Sequence, residues 1–245
     1  SGNKELIGQV RGAVESCILK AQKNRKFEEL VELAALYASE FGDSLASGEF
    51  RTTYKKALES AAGQFQNSDR MKTIFIKALL ASAFAGEDTG INAQKDAVKM
   101  ALASVASVPP EKDEGGGREG RSAVGGFSSV AVDNSTEYHI LIFYEGAESV
   151  AVLCNPYRRG TFIVRNGAYE VAVLAPSGSI RPYHARLELN DEHRKSVYRI
   201  VYEGRGKTSS MGGYASTAYG DYALLRAPAG MPPAKVDPRK GTIIP

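Results

Sequence analysis

One internal segment, SVPPEKDEGGGREGRSAVGG at residues 107–126, sets the strongest limit on how this chain can fold. Two prolines, mixed charges and clustered glycines leave the segment too few apolar groups to offset the entropy lost on ordering. The residues on its two sides also differ sharply in composition. We therefore predict two domains, joined by a flexible Gly-rich linker over residues 109–126.

The chain before the break is rich in Ala, Leu, Lys and Glu, and it contains no proline before Pro109. Apolar residues recur every three or four positions, which predicts an α-helical domain over residues 1–108. Five such stripes indicate five helices. The first stripe consists of Leu6, Val10, Val14, Cys17 and Ala21.

A faint internal similarity runs through the helical half. The segment Ala35–Asp43 resembles Ala78–Asp88, and Lys56–Ala62 resembles Met100–Ala106, both at an offset of about 43 residues. Stacked helical-hairpin repeats have periods in this range. An ordinary five-helix bundle also accounts for the pattern, because Ala-rich helices resemble one another by chance. Both interpretations stay open.

Ten of the twelve tyrosines follow Phe127, within short runs rich in Tyr, Val and Ile. Turn signals separate these runs, among them Asn134-Ser135 and Asn166-Gly167, and no helical pattern lies between them. This predicts an antiparallel, Greek-key β-sandwich over residues 127–227 and an α+β fold class. A Pro-rich extended tail is expected over residues 228–245. The predicted strands are 128–133, 138–144, 149–154, 161–165, 169–174, 184–189, 196–203 and 222–226.

Bulk composition identifies no partner. Lys and Arg number 31 against 28 Asp and Glu, so the net charge is only +3. No apolar run approaches the roughly 18 residues of a membrane helix, so no transmembrane segment is expected. The two cysteines, Cys17 and Cys154, both lie in apolar runs, which predicts two buried thiols with structural roles.

No catalytic motif survives comparison with its required spacing. Gly206-Lys207-Thr208 resembles the end of a phosphate loop, but Val201 stands where the first glycine belongs. The histidines lack zinc-ligand spacing, and no Ser or Cys lies in a nucleophile elbow. We therefore expect a non-enzyme with no metal ligands and no cofactor. An enzyme centred on His184 remains a third hypothesis, and it requires a carboxylate or hydroxyl near the ring.

Arginines and tyrosines cluster in the predicted strand region. Arg forks and Tyr rings together suit acidic sugars, phosphates or single-stranded nucleic acid. The alternative is a structural face on which the arginines cover tyrosines and pair with Glu170 and Glu188. The candidate ligand-binding residues are Tyr157, Arg158, Arg159, Arg181, Tyr183 and Arg186.

Residues 138–178 resemble the PEGA domain, a small β-sandwich module named for a Pro-Glu-Gly-Ala turn. The chain has Tyr144-Glu145-Gly146-Ala147 at the turn, then SVAVLC, then Gly160-Thr161, and then GAYEVAV from Gly167. It departs from the pattern where Tyr144 replaces proline, where Asn155-Pro156 replaces Asp-Gly, and where Phe162 follows Gly160-Thr161. Similar patterns occur in carboxypeptidase-regulatory-like and transthyretin-like sandwiches. The resemblance implies a non-catalytic module of cell-envelope proteins, with no shared active site.

The sequence predicts two domains of kinds that commonly bind other molecules, and it contains no recognisable group of catalytic residues. The protein is expected to be a non-enzymatic interaction or scaffold protein of the bacterial cell envelope, in the periplasm or on the cell surface. Its helical half would bind a protein partner, and its sandwich would act as a docking or spacer module. The alternative is a module that binds an acidic glycan or nucleic acid through the Arg/Tyr residues, and a cytoplasmic location is the alternative compartment.

Overall fold

The computed structural model describes residues 2–41, 48–112, 118–121, 126–176, 180–190, 192–198 and 241–242. The chain divides into two compact units, Ser1–Met100 and Ala101–Pro245. Helices come first and strands follow, which confirms the predicted α+β architecture. The helices in the described part of the chain are α1 (Gly2–Lys23), α2 (Phe27–Phe41), α3 (Glu49–Phe65), α4 (Arg70–Ala83) and α5 (Asp88–Val105).

The first four helices follow from the apolar spacing together with local signals. Asp69 caps α4, because its side chain accepts a hydrogen bond from the Lys72 backbone amide at 3.0 Å. The apolar sides of α2 and α3 contain Tyr37 and Tyr54, and both side chains are almost fully buried. Their rings lie 5.7 Å apart and form the centre of an aromatic cluster with Phe41 and Phe50. The helical-repeat interpretation stays a prediction.

Among the eleven described strands, six lie at predicted places, and a seventh, over Glu192–Tyr198, begins four residues before the predicted strand 196–203. Their bounds are β1 (Glu111–Lys112), β2 (Arg118–Arg121), β3 (Phe127–Asn134), β4 (Ile140–Gly146), β5 (Val150–Cys154), β6 (Arg159–Arg165), β7 (Gly167–Leu174), β8 (Ile180–Arg181), β9 (Tyr183–Leu189), β10 (Glu192–Tyr198) and β11 (Gly241–Thr242). Several predictions lie outside the described residues: the strand 222–226, residues 199–203 of the strand 196–203, Gly206-Lys207-Thr208, and all of the Pro-rich tail 228–245 except Gly241–Thr242.

Two of these strands lie where the sequence predicts only a linker. Glu111–Lys112 pairs parallel to β9, and Arg118–Arg121 pairs antiparallel to β10. Pairing with longer strands gives these short polar runs hydrogen-bond partners that their own composition does not predict. The flexibility expected of the linker, and the exact domain bounds, stay predictions.

The strands form two main sheets, ordered β1-β9-β7-β4-β5 and β2-β10-β3-β6. Most pairings are antiparallel, while β1–β9, β3–β10 and β8–β11 are parallel. One buried apolar cluster includes side chains from both main sheets, such as Val130 and Val164 of one and Ile142 and Val171 of the other. Face-to-face sandwich packing stays a prediction, and the Tyr144 variant described in the Discussion tests it.

The connection between β6 and β7 forms the tight corner that the sequence predicts. Gly167 has a φ of +146°, which side chains rarely adopt. The hydroxyl of Tyr169 donates to the Arg165 carbonyl at 2.8 Å and ties the corner together. At Gly146 an added Cβ would lie 2.0 Å from the Ala168 carbonyl oxygen, so the close approach of β4 and β7 requires glycine there.

Within the described residues, no helix combines the length and the apolarity that crossing a lipid bilayer requires.

Candidate interaction surfaces

Helix α1 has a continuous apolar face that is covered along only part of its length. Ile18 and Ala21, near the C-terminal end, are buried. Towards the N-terminus, Ile7 and Val10 continue the same helical spacing but are 51% and 49% exposed, and Leu6 beside them is 58% exposed. The first predicted stripe is therefore only partly a core face. We call Leu6, Ile7 and Val10 the α1 patch.

The charged side chains on this stretch of α1 bind to each other and to Tyr37. Between Leu6 and Leu19 the only charged residues are Arg11 and Glu15. Arg11 Nε donates to Glu15 Oε1 and to the hydroxyl of Tyr37, both at 3.0 Å, and that hydroxyl donates to Glu15 Oε1 at 2.8 Å. Burial raises the pKa of Tyr37, which keeps the hydroxyl protonated as a donor. The network leaves the outer side of α1 without unpaired charge.

An outer face of this kind is unusual, because surface helices normally expose charged residues to water. Helix α2 follows the rule with four exposed glutamates: Glu28, Glu29, Glu32 and Glu40. The outer side of α1 instead carries the α1 patch and the exposed small residue Ala13, which follows Leu6 by seven positions and so lies on the same side. Contiguous exposed apolar residues of this kind are typical of contact surfaces.

The two cysteines differ, which corrects the expectation that both are buried. Cys17 is exposed because its position on α1 turns away from Ile18 and the packed side of the helix. Cys154 is buried, and its thiol donates to the Arg158 carbonyl at 3.6 Å. Burial raises the pKa of the Cys154 thiol to about 11. A buried, protonated thiol is a poor nucleophile.

We expect one thiol per native chain to react with a maleimide at neutral pH, and two after unfolding in guanidinium. The Cys17→Ser variant should show no fast reaction in the native state, while Cys154→Ser should react like the wild type. Mass spectrometry of the labelled protein identifies the site. Fast native labelling of Cys154 would contradict the burial described for it.

A second surface is the loop between β5 and β6, which exposes Tyr157 and Arg158. Tyr157 is 70% exposed and has a φ of +54°, a left-handed conformation that is uncommon outside glycine. Its backbone amide donates to the Thr136 carbonyl at 3.1 Å. The Arg158 carbonyl accepts from the Asn134 amide at 3.0 Å. These hydrogen bonds to the backbone of Asn134 and Thr136 therefore hold the loop in one conformation.

The side chain of Asn134, which is completely buried, also holds this loop through hydrogen bonds. Its side-chain Nδ2 donates to the carbonyls of Tyr138 at 2.7 Å, Asn155 at 3.0 Å and Cys154 at 3.2 Å. Its Oδ1 accepts from the backbone amide and the hydroxyl of Thr136, at 3.0 and 2.7 Å. The sequence predicts only a turn at Asn134-Ser135. The signal that could have indicated the structural role of Asn134 is the tendency of Asn side chains to hydrogen-bond nearby backbone groups.

The six residues predicted as ligand contacts do not meet on one face. Tyr157, Arg158 and Arg159 lie at β5–β6, and Arg159 pairs with Asp133 at 2.8 Å. Tyr183 is buried in the core, and the side chain of Arg181 lies outside the described residues.

Arg186 is exposed on β9, where it lies 4.0 Å from Glu170. It is separated from β5 by β7 and β4, about 14 Å across the sheet. Tyr183 and Arg186 are three residues apart on one strand, so strand alternation alone places them on opposite faces. The acidic-ligand hypothesis stays a prediction, and among the five candidates whose side chains are described, only Tyr157, Arg158 and Arg159 lie together.

His184 is buried, and both of its ring nitrogens contact oxygens. Nε2 lies 2.8 Å from Glu170 Oε1, and Nδ1 lies 2.6 Å from the Val108 carbonyl oxygen. The carboxylate that the enzyme hypothesis requires is therefore present. Both nitrogens are occupied by the protein itself, however, and the ring joins β9 to β7 and to the segment that follows α5. This geometry favours a structural role for His184.

No family model, no curated protein and no solved structure matches the chain. The functional proposal therefore rests on the geometry of these surfaces and on the sequence resemblance of residues 138–178.

Proposed function

We propose that the protein is a non-enzymatic interaction protein of the cell envelope, in which the helical unit binds a protein partner and the β-rich unit acts as a docking module. The observation that carries the proposal is the α1 patch. Its apolar face continues from the buried Ile18 to the half-exposed Ile7 and Val10 without a charged residue on its outer side. The envelope location is supported by the PEGA-like pattern of residues 138–178.

The occupant we propose for the α1 patch is an apolar helix of a partner protein. From Leu6 to Cys17 the outer side of α1 extends about 16 Å, the length of three helical turns. Ala13, which is exposed on the same side as Leu6, has a small side chain, so a second helix can approach the α1 backbone closely there. Covering the three half-exposed apolar side chains would contribute roughly 1 kcal/mol each.

Photo-crosslinking in intact source cells tests this proposal. With benzoylphenylalanine at position 6 or 10, we expect one discrete adduct with another protein, recovered with the envelope fraction. The same probe at Glu32, exposed on α2, serves as the matched control and should give no such adduct. Adding Ile7→Glu should reduce the adduct by about tenfold or more, because a charge would be buried in the contact.

The exposed thiol of Cys17 gives a second readout beside the same patch. Partner binding should slow its reaction with maleimide, and Ile7→Glu should restore the fast reaction. Adducts formed only with a second copy of the chain, or adducts equal at positions 6, 10 and 32, would contradict the proposal. Recovery of the adduct only from the cytoplasmic fraction would contradict the envelope location.

A further inference from the structure

Strand β6 lies at the edge of its sheet. The sheet order is β2-β10-β3-β6, so in the described part of the chain β6 pairs on one side only, with β3. It is seven residues long and contains no proline. Natural edge strands are usually protected by short length, proline or charge, because unpaired amides and carbonyls invite a further strand.

The register identifies which backbone groups of β6 point outward. The Asn134 amide donates to the Arg158 carbonyl, and the Asn166 amide donates to the Gly126 carbonyl. In an antiparallel pair every second residue bonds to the partner strand. The even-numbered residues from 158 to 166 therefore bond β3, and the odd-numbered ones point away. Consistent with this, the Arg165 amide donates to Glu148 Oε1 at 2.6 Å, outside the ladder.

The outward amides and carbonyls that remain belong to Arg159, Thr161 and Ile163. Their side chains are all exposed, and Ile163 is 67% exposed at the centre of the strand. Only Tyr157, on the loop that leads into β6, is more exposed among the large apolar side chains of the described residues. Phe127 on β3 pairs with Arg165 and lies diagonally across from Ile163, adding a second exposed apolar side chain at 39%.

We propose that the outer edge of β6 binds an extended acidic segment of a partner protein as an added antiparallel strand. The proposal rests on the docking role given above to the β-rich unit. Backbone groups of Arg159, Thr161 and Ile163 supply the hydrogen bonds, as in other cases of strand addition. Ile163 supplies an apolar contact at the centre. It is flanked by the exposed guanidinium groups of Arg165 and of Arg159, which also pairs with Asp133.

Charge decides between this partner and a second copy of the chain. In a fully overlapped antiparallel pair of two β6 strands, Arg159 would stand opposite Arg165 at both ends. Like charges directly opposite each other destabilise a strand pair. Carboxylates at the same two positions would instead meet guanidinium groups, which bind them well.

Selection from a phage-displayed library of random peptides, panned against the full chain, tests the proposal. We expect enriched peptides with alternating β-branched residues, acidic residues near their ends and no proline in the paired stretch. A synthetic peptide of the enriched sequence is then the probe. It should slow hydrogen exchange of the Arg159, Thr161 and Ile163 amides by about tenfold or more, while the amides bonded to β3 change less.

Thr161→Pro is the decisive variant, because it removes one outward amide and no bond to β3. We expect it to weaken binding of the peptide by about tenfold or more. Thr161→Val keeps the amide and should bind normally. If Thr161→Pro fails to fold, Ile163→Lys takes its place, because it charges the same edge without changing the backbone.

Binding that survives both variants, absence of any enriched sequence, or outward amides already protected in the free protein would overturn the proposal. So would selective binding of single-stranded DNA or a heparin oligosaccharide that depends on Arg158 and not on Thr161. The Ile7→Glu change in the α1 patch should leave peptide binding unchanged. Failure at β6 is thereby distinguishable from failure of the partner proposed for α1.

Discussion

Replacement of Asn134 by alanine is expected to destabilise the β-rich unit by about 3 kcal/mol. The side chain is fully buried and donates to the carbonyls of Tyr138, Cys154 and Asn155. Its Oδ1 also accepts a hydrogen bond from the hydroxyl of Thr136. Alanine would remove these partners while the groups stay away from water, and each unsatisfied buried polar group costs about 1–3 kcal/mol.

The reactivity of the Cys154 thiol measures this loss of stability, because Cys154 lies beside the same loop and is exposed when the unit unfolds. In a Cys17→Ser background, pulse labelling of Cys154 across a urea series measures the free energy of unfolding of this unit. Asn190→Ala, an exposed asparagine at the end of β9, is the matched control and should change that free energy by less than about 0.5 kcal/mol. A loss below about 1 kcal/mol for Asn134→Ala would show that the buried network does not hold the loop.

Replacement of Tyr144 by alanine is expected to cost about 4 kcal/mol, the largest effect we predict. Tyr144 is 1% exposed on β4. Its ring lies 5.6 Å from that of Tyr169 in the same sheet and 5.5 Å from that of Phe162 in the other sheet. Edge-on ring contacts of this kind add to the free energy of burial. Truncation would therefore open a cavity bordered by both sheets.

Hydrogen exchange of the β3 and β6 amides gives the second readout, beside Cys154 labelling on β5. If the sheets share one core, Tyr144→Ala should lower protection in both by a similar free energy. Tyr157→Ala removes an equal ring from a 70% exposed position and should change protection by less than about 0.5 kcal/mol. Unchanged protection in β3 and β6 would contradict sandwich packing.

The periodicity of apolar residues predicted where the helices lie, but it did not predict how much of each apolar side is buried. The spacing of Val10, Val14 and Ala21 correctly indicated a helix with one apolar side. It could not indicate that packing covers this side near Ala21 and leaves it open near Val10. Helical spacing is a property of the local sequence, whereas coverage depends on where residues distant in sequence lie.

The Arg/Tyr residues show the same limit for a candidate site. The residue types, Arg and Tyr within the predicted strand region, suggested that Tyr183 and Arg186 act together with Arg158. Strand alternation separates the first two, and the order of strands separates both from the β5–β6 loop. The sequence pattern contains residue types and spacing, but not which strands are neighbours in a sheet.

The amino-acid sequence by itself determined the division into a helical and a strand-rich part, most strand positions, and the Gly167–Tyr169 corner, because these depend on local propensity and turn chemistry. Only the tertiary structure decided that Asn134 is a buried support and that, among the described residues, the apolar face of α1 stays open and β6 is an edge. Each of these depends on contacts between residues far apart in the chain, which local pattern does not encode.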